Sequence, residues 1–125
     1  MAPEKNVRTR ARTNEPITVI KVGGYIDFTT SDELDRVLQE QIKQRNYRII
    51  LDLAEVDYIS SRGWSIFLSR IKEIRDNNGD LKLARMKADV FEVFELLEFF
   101  WFIRSYQTIE EAVKDFDKDV PPMPQ

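Results

Sequence analysis

The segment Ile49-Ile50-Leu51-Asp52-Leu53 constrains the fold more than any other part of the chain. It is nearly continuous in large apolar residues instead of alternating with polar ones, which is the signature of a strand covered on both faces of a sheet. A helix pattern follows from about Ser61 to Asn77, with Trp64, Phe67, Leu68, Ile71 and Ile74 on one face. A strand buried on both sides that feeds directly into an amphipathic helix implies a crossover unit.

The same alternation continues in both directions. Upstream, Ile17 to Val22 is β-branched and begins after Pro16, and Gly23-Gly24 supplies a bend before Tyr25-Ile26-Asp27-Phe28. Thr30 and Glu33 have capping-box spacing, ahead of Leu34, Val37, Leu38 and Ile42 at helical intervals. Downstream, Asn78-Gly79 ends the second helix and Leu81 to Met86 reads as a strand. Asp89 then opens a third helix with Val90, Val93, Phe94 and Leu97 facing inward, and a short strand is expected near Phe102-Ile103. Thr108 and Glu111 form a second capping box before Ile109, Ala112, Val113 and Phe116. Strands and helices in this order predict an α/β fold with a mixed or parallel sheet.

One domain spans residues 16–117 in this reading. Residues 1–15 carry Lys5, Arg8, Arg10 and Arg12 against Glu4 and Glu15 and have little to bury, so a basic flexible arm is expected. Residues 118–125 end in Pro121-Pro122-Met123-Pro124 and read as a loose tail.

Composition removes whole classes of function. The chain has no Cys and no His, which excludes disulfides, thiolate chemistry and hydrolases of the Ser/His/Asp type. A net charge of -3 argues against a dedicated nucleic-acid binder. No apolar run approaches the roughly 18 residues of a membrane span, and no signal-peptide core follows Met1. A soluble, cytoplasmic protein without membrane contact is expected. Asp27, Asp52, Glu55 and Asp57 gather toward one end of the sheet. Loop carboxylates are ordinarily solvated, and neither a metal nor a cofactor is assigned to them. Phe91, Phe94, Phe99, Phe100, Trp101 and Phe102 form an aromatic block too dense for every ring to point inward. Gly23-Gly24 lacks the lysine and spacing of a phosphate-binding loop, and enzymatic activity is not expected.

The buried strand runs through Ala54-Glu55-Val56-Asp57-Tyr58-Ile59 into Ser60-Ser61-Arg62-Gly63-Trp64-Ser65. Ser60 or Ser61 is suited to cap the helix, since its hydroxyl can accept a first-turn N–H. The same helix terminus, with its partial positive charge and free donors, tolerates a phosphate. Ser61, Ser65 and Ser69 recur every four residues, away from the apolar face, and short side chains there let a partner approach closely.

At these residues the chain resembles the STAS family, and in particular the bacterial anti-sigma-factor antagonists. Their segment reads Asp-Ser-Ser-Gly-Leu-Gly or Asp-Ser-Thr-Gly-Leu-Gly at the start of a helix, and Gly24-Tyr25-Ile26-Asp27 matches their upstream Gly-x-Leu-Asp. Ser60 stands in place of the Asp, Arg62 in place of a small residue, and Trp64-Ser65 in place of Leu-Gly. The resemblance covers roughly residues 17–116. It implies a mixed sheet of four to five strands with about four helices packed mainly on one side. It also implies that Ser61, with Ser60 as second choice, is phosphorylated by an anti-sigma factor that is itself a serine kinase. A phosphatase acting on phosphoserine would reverse the modification. The expected partner-binding residues are Asp27, Ser60, Ser61, Arg62, Gly63, Ser65 and Ser69. The alternative is a small STAS subunit docking on an ABC transporter ATPase.

Overall fold

A computed structural model describes the backbone of residues 3–10 and 16–118 and the side chains of residues 16–117. Five strands and four helices follow one another: β1 (Pro3–Arg10), β2 (Pro16–Ile26), α1 (Thr30–Lys43), β3 (Arg48–Ile59), α2 (Ser61–Asp76), β4 (Asp80–Ala84), α3 (Ala88–Leu96), a 3-10 turn (Phe99–Trp101), β5 (Ser105–Tyr106) and α4 (Ile109–Lys118). Together they form the mixed α/β architecture read from the sequence. The strands lie in the order β1-β2-β3-β4-β5, so spatial order equals chain order. β2 to β5 are parallel, and β1 pairs antiparallel with β2.

That ordering decides where the helices go. Each parallel connection steps one strand further in the same direction, and right-handed crossovers then put α1, α2 and α3 on one face. Leu34 and Leu38 of α1, Phe67, Ile71 and Ile74 of α2, and Val90 and Phe94 of α3 share one core with Ile20, Ile49, Leu51 and Leu83. Phe67 is wholly buried, and a side chain of that kind contributes about 1.5–3 kcal/mol by leaving water. α4 follows the last strand and is under no crossover constraint. It covers the opposite face, where Ala112 and Phe116 meet Ile17, Ile50 and Ala84. Alternation of Ile49, Ile50 and Leu51 between the two cores explains why β3 shows no polar alternation.

Several expectations need correction. The basic segment taken for a flexible arm forms strand β1 over Pro3–Arg10, paired from Arg10↔Pro16 to Pro3↔Val22. An edge strand draws its order from backbone pairing and tolerates charged side chains, so few apolar residues were no bar. Residues 1–2 and 11–15 lie outside the described residues, as do 119–125 of the expected tail, while Lys118 ends α4. Gly23-Gly24 does not end the strand: β2 runs through both glycines with register shifts on either side of them, and Gly24 takes φ 77°. That left-handed conformation is open to glycine at little cost. Val93 and Leu97 are exposed, because the short α3 turns only Val90 and Phe94 inward. The last strand is Ser105–Tyr106, set by pairing with Leu83 and Ala84, and not the apolar Phe102-Ile103. Among the described residues no helix is long and apolar enough to cross a membrane.

Candidate functional site

Parallel strands all end on the same side, and there the chain after β2 meets the start of α2. The backbone N–H of Ser60 donates to the Ile26 carbonyl at 2.8 Å, tying the end of β3 to the end of β2. Asp27 follows directly, so the Gly24-to-Asp27 and Ser60-to-Gly63 segments become neighbours although 36 positions separate Gly24 from Ser60.

The two serines have different tasks. Ser60 is the N-cap of α2, in extended backbone (φ −73°, ψ 167°), and its Oγ accepts the Gly63 N–H at 3.3 Å. Its side chain is half-buried. Ser61 is the first helical residue; it is exposed, and its hydroxyl makes no hydrogen bond among the described residues. α2 carries no acidic residue in its first turn, which leaves the positive end of its dipole uncompensated from within the helix.

Gly63 is buried and cannot be touched from outside. A Cβ there would lie 2.8 Å from Ile26 Cγ2 and 2.9 Å from Ile59 Cγ2, so glycine is what lets the helix start settle on the ends of β2 and β3. Arg62 is exposed and points back to α1. Its Nε lies 3.1 Å from Asp32 Oδ1, a second guanidinium nitrogen reaches the same oxygen, and its Cζ sits 5.1 Å from the centre of the exposed Phe28 ring. Phe28 and Asp32 were not anticipated; the only sequence signal was their place just after Asp27.

Asp27, not Thr30, caps α1. Its Oδ1 accepts the backbone N–H groups of Thr29 and Thr30, each at 3.0 Å, while Thr30 Oγ1 accepts the Asp27 N–H at 2.9 Å and lies 2.7 Å from the Tyr25 carbonyl. The Thr30 N–H and hydroxyl hold the Asp27 carboxyl below its ordinary range. Thr108 does cap α4, accepting the Glu111 N–H at 3.1 Å.

Ser65 and Ser69 are exposed on the same outer face of α2 as Ser61, about 6 and 12 Å further along the axis. Ser69 Oγ donates to the Ser65 carbonyl at 2.8 Å. Asp27, Ser60, Ser61 and Arg62 are thus brought together, Ser65 and Ser69 extend the face, and Gly63 supports it from below.

The other carboxylates do not converge. Asp52 pairs with Arg85 at 3.1 Å and Asp57 pairs with Lys87. Among the described residues no cluster of carboxylates is placed to hold a metal ion. A cleft of about 740 Å³, lined by Arg45, Arg48, Arg75 and Asp80 among others, opens at the opposite end of the strands, away from Ser61.

A polar cluster on the α4 face was also missed. Lys82 is wholly buried, with Nζ 3.1 Å from Asp115 Oδ2, 3.5 Å from Asp80 Oδ2 and 4.5 Å from the Phe116 ring centre. Tyr106 and Arg104 donate to the same Asp115 oxygen. Desolvation alone would raise the Asp115 carboxyl, but hydrogen bonds from Tyr106, Lys82 and Arg104 outweigh it and bring the group down to about 2. Burial and the Asp115 carboxylate push the Tyr106 phenol well above its ordinary value. The signal available was a lysine inside Leu81-Lys82-Leu83.

Comparison with known proteins gives a consistent result. The model of the STAS domain matches residues 8–112. BtrV of Bordetella bronchiseptica, described as a candidate anti-sigma factor antagonist, is 32% identical over 98 residues, which cover 78% of this chain and 84% of that protein. The anti-sigma factor antagonist SpoIIAA in its unphosphorylated form superposes with a TM-score of 0.70 at 20% identity, over 94% of this chain and all of that one. Its phosphorylated form, from Bacillus, superposes with a TM-score of 0.62 at 19% identity, over 87% of this chain and 96% of that one. The same fold recurs within a murine Solute Carrier 26 family anion transporter, at a TM-score of 0.74 and 11% identity, over 94% of this chain and 22% of the transporter.

Proposed function

The chain belongs to the STAS domain family, among relatives named as anti-sigma-factor antagonists, and on that premise we propose that it acts by reversible binding and not by catalysis. With Ser61 unmodified, it sequesters a cytoplasmic anti-sigma factor that is also a serine kinase. Transfer of the γ-phosphoryl group of ATP to Ser61 Oγ forms a P–O bond there and releases ADP and the hydroxyl proton. The modified chain then lets its partner go, and a separate phosphatase hydrolyses the phosphoserine and resets it. ATP and Mg²⁺ belong to the kinase; neither nucleic acid nor membrane is needed.

The observation that carries this reading is the contrast at the start of α2. Ser60 Oγ is engaged with the Gly63 N–H, whereas Ser61 Oγ is exposed and without a partner among the described residues. A phosphate on Ser61 would add about −1.5 to −2 charge at a helix terminus that favours anions, so the fold can bear it. A partner docked over Asp27, Arg62, Ser65 and Ser69 would meet that charge directly. Ser60 and Gly63 contribute from beneath by fixing the helix start.

Incubation of the chain with its partner kinase and ATP, followed by phosphosite mapping, tests the assignment. Ser60→Ala is labelled like the unaltered chain and Ser61→Ala is not. Ser61→Asp folds normally and binds the partner about tenfold more weakly, a loss of about 1.4 kcal/mol. Full labelling of Ser61→Ala sinks the assignment.

A further inference from the structure

The aromatic block after α3 is split by the backbone into an inner and an outer set. Phe94 and Phe99 face inward against Trp64, with ring centroids 6.0 Å and 4.8 Å away, and Ile103 is buried behind them. Hydrogen bonds from the Phe102 and Ile103 N–H groups to the Phe99 carbonyl, at 2.9 and 3.0 Å, close the turn. With Phe99 and Ile103 pinned, the residues between them must face out. Phe100, Trp101 and Phe102 are exposed, Trp101 by 73%, and beside them stand Leu96 at 78% and Leu97 at 55%. Five large apolar side chains stand exposed within seven consecutive residues, and the Phe100 and Trp101 rings pack with centroids 5.5 Å apart, a density that isolated exposed residues do not explain. Through Phe102 this patch continues into a groove of about 480 Å³ against Leu68 and Ile71 of α2.

The charges within the segment that bears the patch have one sign, while the groove beyond Phe102 is also lined by Lys72, Arg75 and Asp76. Between Lys87 and Arg104 the chain carries Asp89, Glu92, Glu95 and Glu98 and no basic residue. Glu92, Glu95 and Glu98 make no ion pair among the described residues, and Glu95 and Glu98 stand at the C-terminal end of α3, where the helix dipole disfavours anions. Nearby cations are already engaged: Lys87 with Asp57, Arg104 with Asp115, Lys72 with Asp76 and Arg75 with Asp80. A second copy of the same patch would bring these glutamates face to face. Lys5, Arg8 and Arg10 of the chain's own basic segment lie in β1.

We propose that the patch formed by Leu96, Leu97, Phe100, Trp101 and Phe102 is a second docking surface, separate from Ser61, for a basic amphipathic helix of a partner protein. The apolar face of that helix covers the aromatic residues and enters the groove, and its lysines or arginines meet Glu92, Glu95 and Glu98.

Two labelled peptides of about 18 residues serve as probes, both with leucine on one helical face, one with lysine and one with glutamate on the other. Their binding to the full chain is followed by anisotropy and by Trp101 emission. The lysine peptide binds, shifts the emission to the blue and weakens as salt rises, while the glutamate peptide does not bind. Leu96→Ser with Trp101→Ser weakens the lysine peptide about tenfold. Glu92→Lys, Glu95→Lys and Glu98→Lys together reverse the preference between the peptides. Ser61→Asp changes none of these readings, which keeps this surface distinct from the proposed switch. Equal binding of both peptides, no binding of either, or insensitivity to the Leu96 and Trp101 changes overturns the proposal. So does self-association in sedimentation that Leu96→Ser abolishes, which would assign the patch to a dimer.

Discussion

The Lys82 cluster and the start of α2 handle polar groups in opposite ways. On the α4 face a buried ammonium is surrounded by Asp115, Asp80 and two aromatic rings, and Asp115 accepts from three donors. At the start of α2 the Ser61 hydroxyl has no hydrogen-bond partner among the described residues, and the Arg62 pair with Asp32 lies largely in water. Burial explains the difference. A charge without water must be satisfied by the protein, whereas a surface hydroxyl can be left without a protein partner at almost no cost. The first arrangement fixes the fold, and the second leaves a hydroxyl exposed to solvent.

The largest effect should come from breaking the closed cluster. Asp115→Asn takes from the buried Lys82 the carboxylate at 3.1 Å, nearer than Asp80 at 3.5 Å, and should cost about 3 kcal/mol in urea unfolding at neutral pH. The sign of its pH dependence follows from the lowered Asp115 pKa. Stability from this carboxylate is complete above its ordinary value of 3.8 and is lost as pH falls through about 2. The gap between the unaltered chain and Asp115→Asn should therefore shrink across that window, and a gap that stays constant would show that Asp115 is not the titrating group.

Gly63→Ala comes next and probes the support under the open site. Alanine gains about 0.5–1 kcal/mol in helix propensity but drives its Cβ to 2.8 and 2.9 Å from two buried isoleucine methyls. Overpacking of that kind costs about 1–3 kcal/mol, so a net loss of about 1 kcal/mol is expected in thermal unfolding. A stabilised variant would mean that Ile26 and Ile59 have room to give.

The smallest and sharpest effect separates the adjacent serines. Ser60→Ala removes the cap and should cost about 1 kcal/mol. Ser61→Ala removes a hydroxyl that bonds to nothing described and should stay within about 0.5 kcal/mol. Equal losses would erase the distinction between a capping serine and a free one.

Residues with a strong periodic pattern were legible in the sequence. Ile49 to Leu53 read as a doubly covered strand, and Phe67, Ile71 and Ile74 as the inner face of α2, because side-chain spacing alone fixes those faces. What stayed hidden depends on pairing or on hydroxyl geometry. β1 has no apolar alternation to reveal it, and the two-residue β5 exists only because Leu83 and Ala84 lie beside it. Ser60 and Ser61 are chemically identical in a sequence, and the Gly63 N–H and the difference in burial separate them in the structure. Thr30 and Glu33 had the spacing of a capping box, but Asp27, three residues before Thr30, takes the capping role by accepting the Thr29 and Thr30 N–H groups.

The match between chain order and strand order also bears on how the domain is made. During synthesis each strand from β2 onward emerges after the strand it will pair with, so none has to wait for a distant partner. The sheet can grow from one side, one βα unit at a time, as the ribosome releases it. Pairings between neighbouring units keep loop closures short, and short closures favour rapid folding.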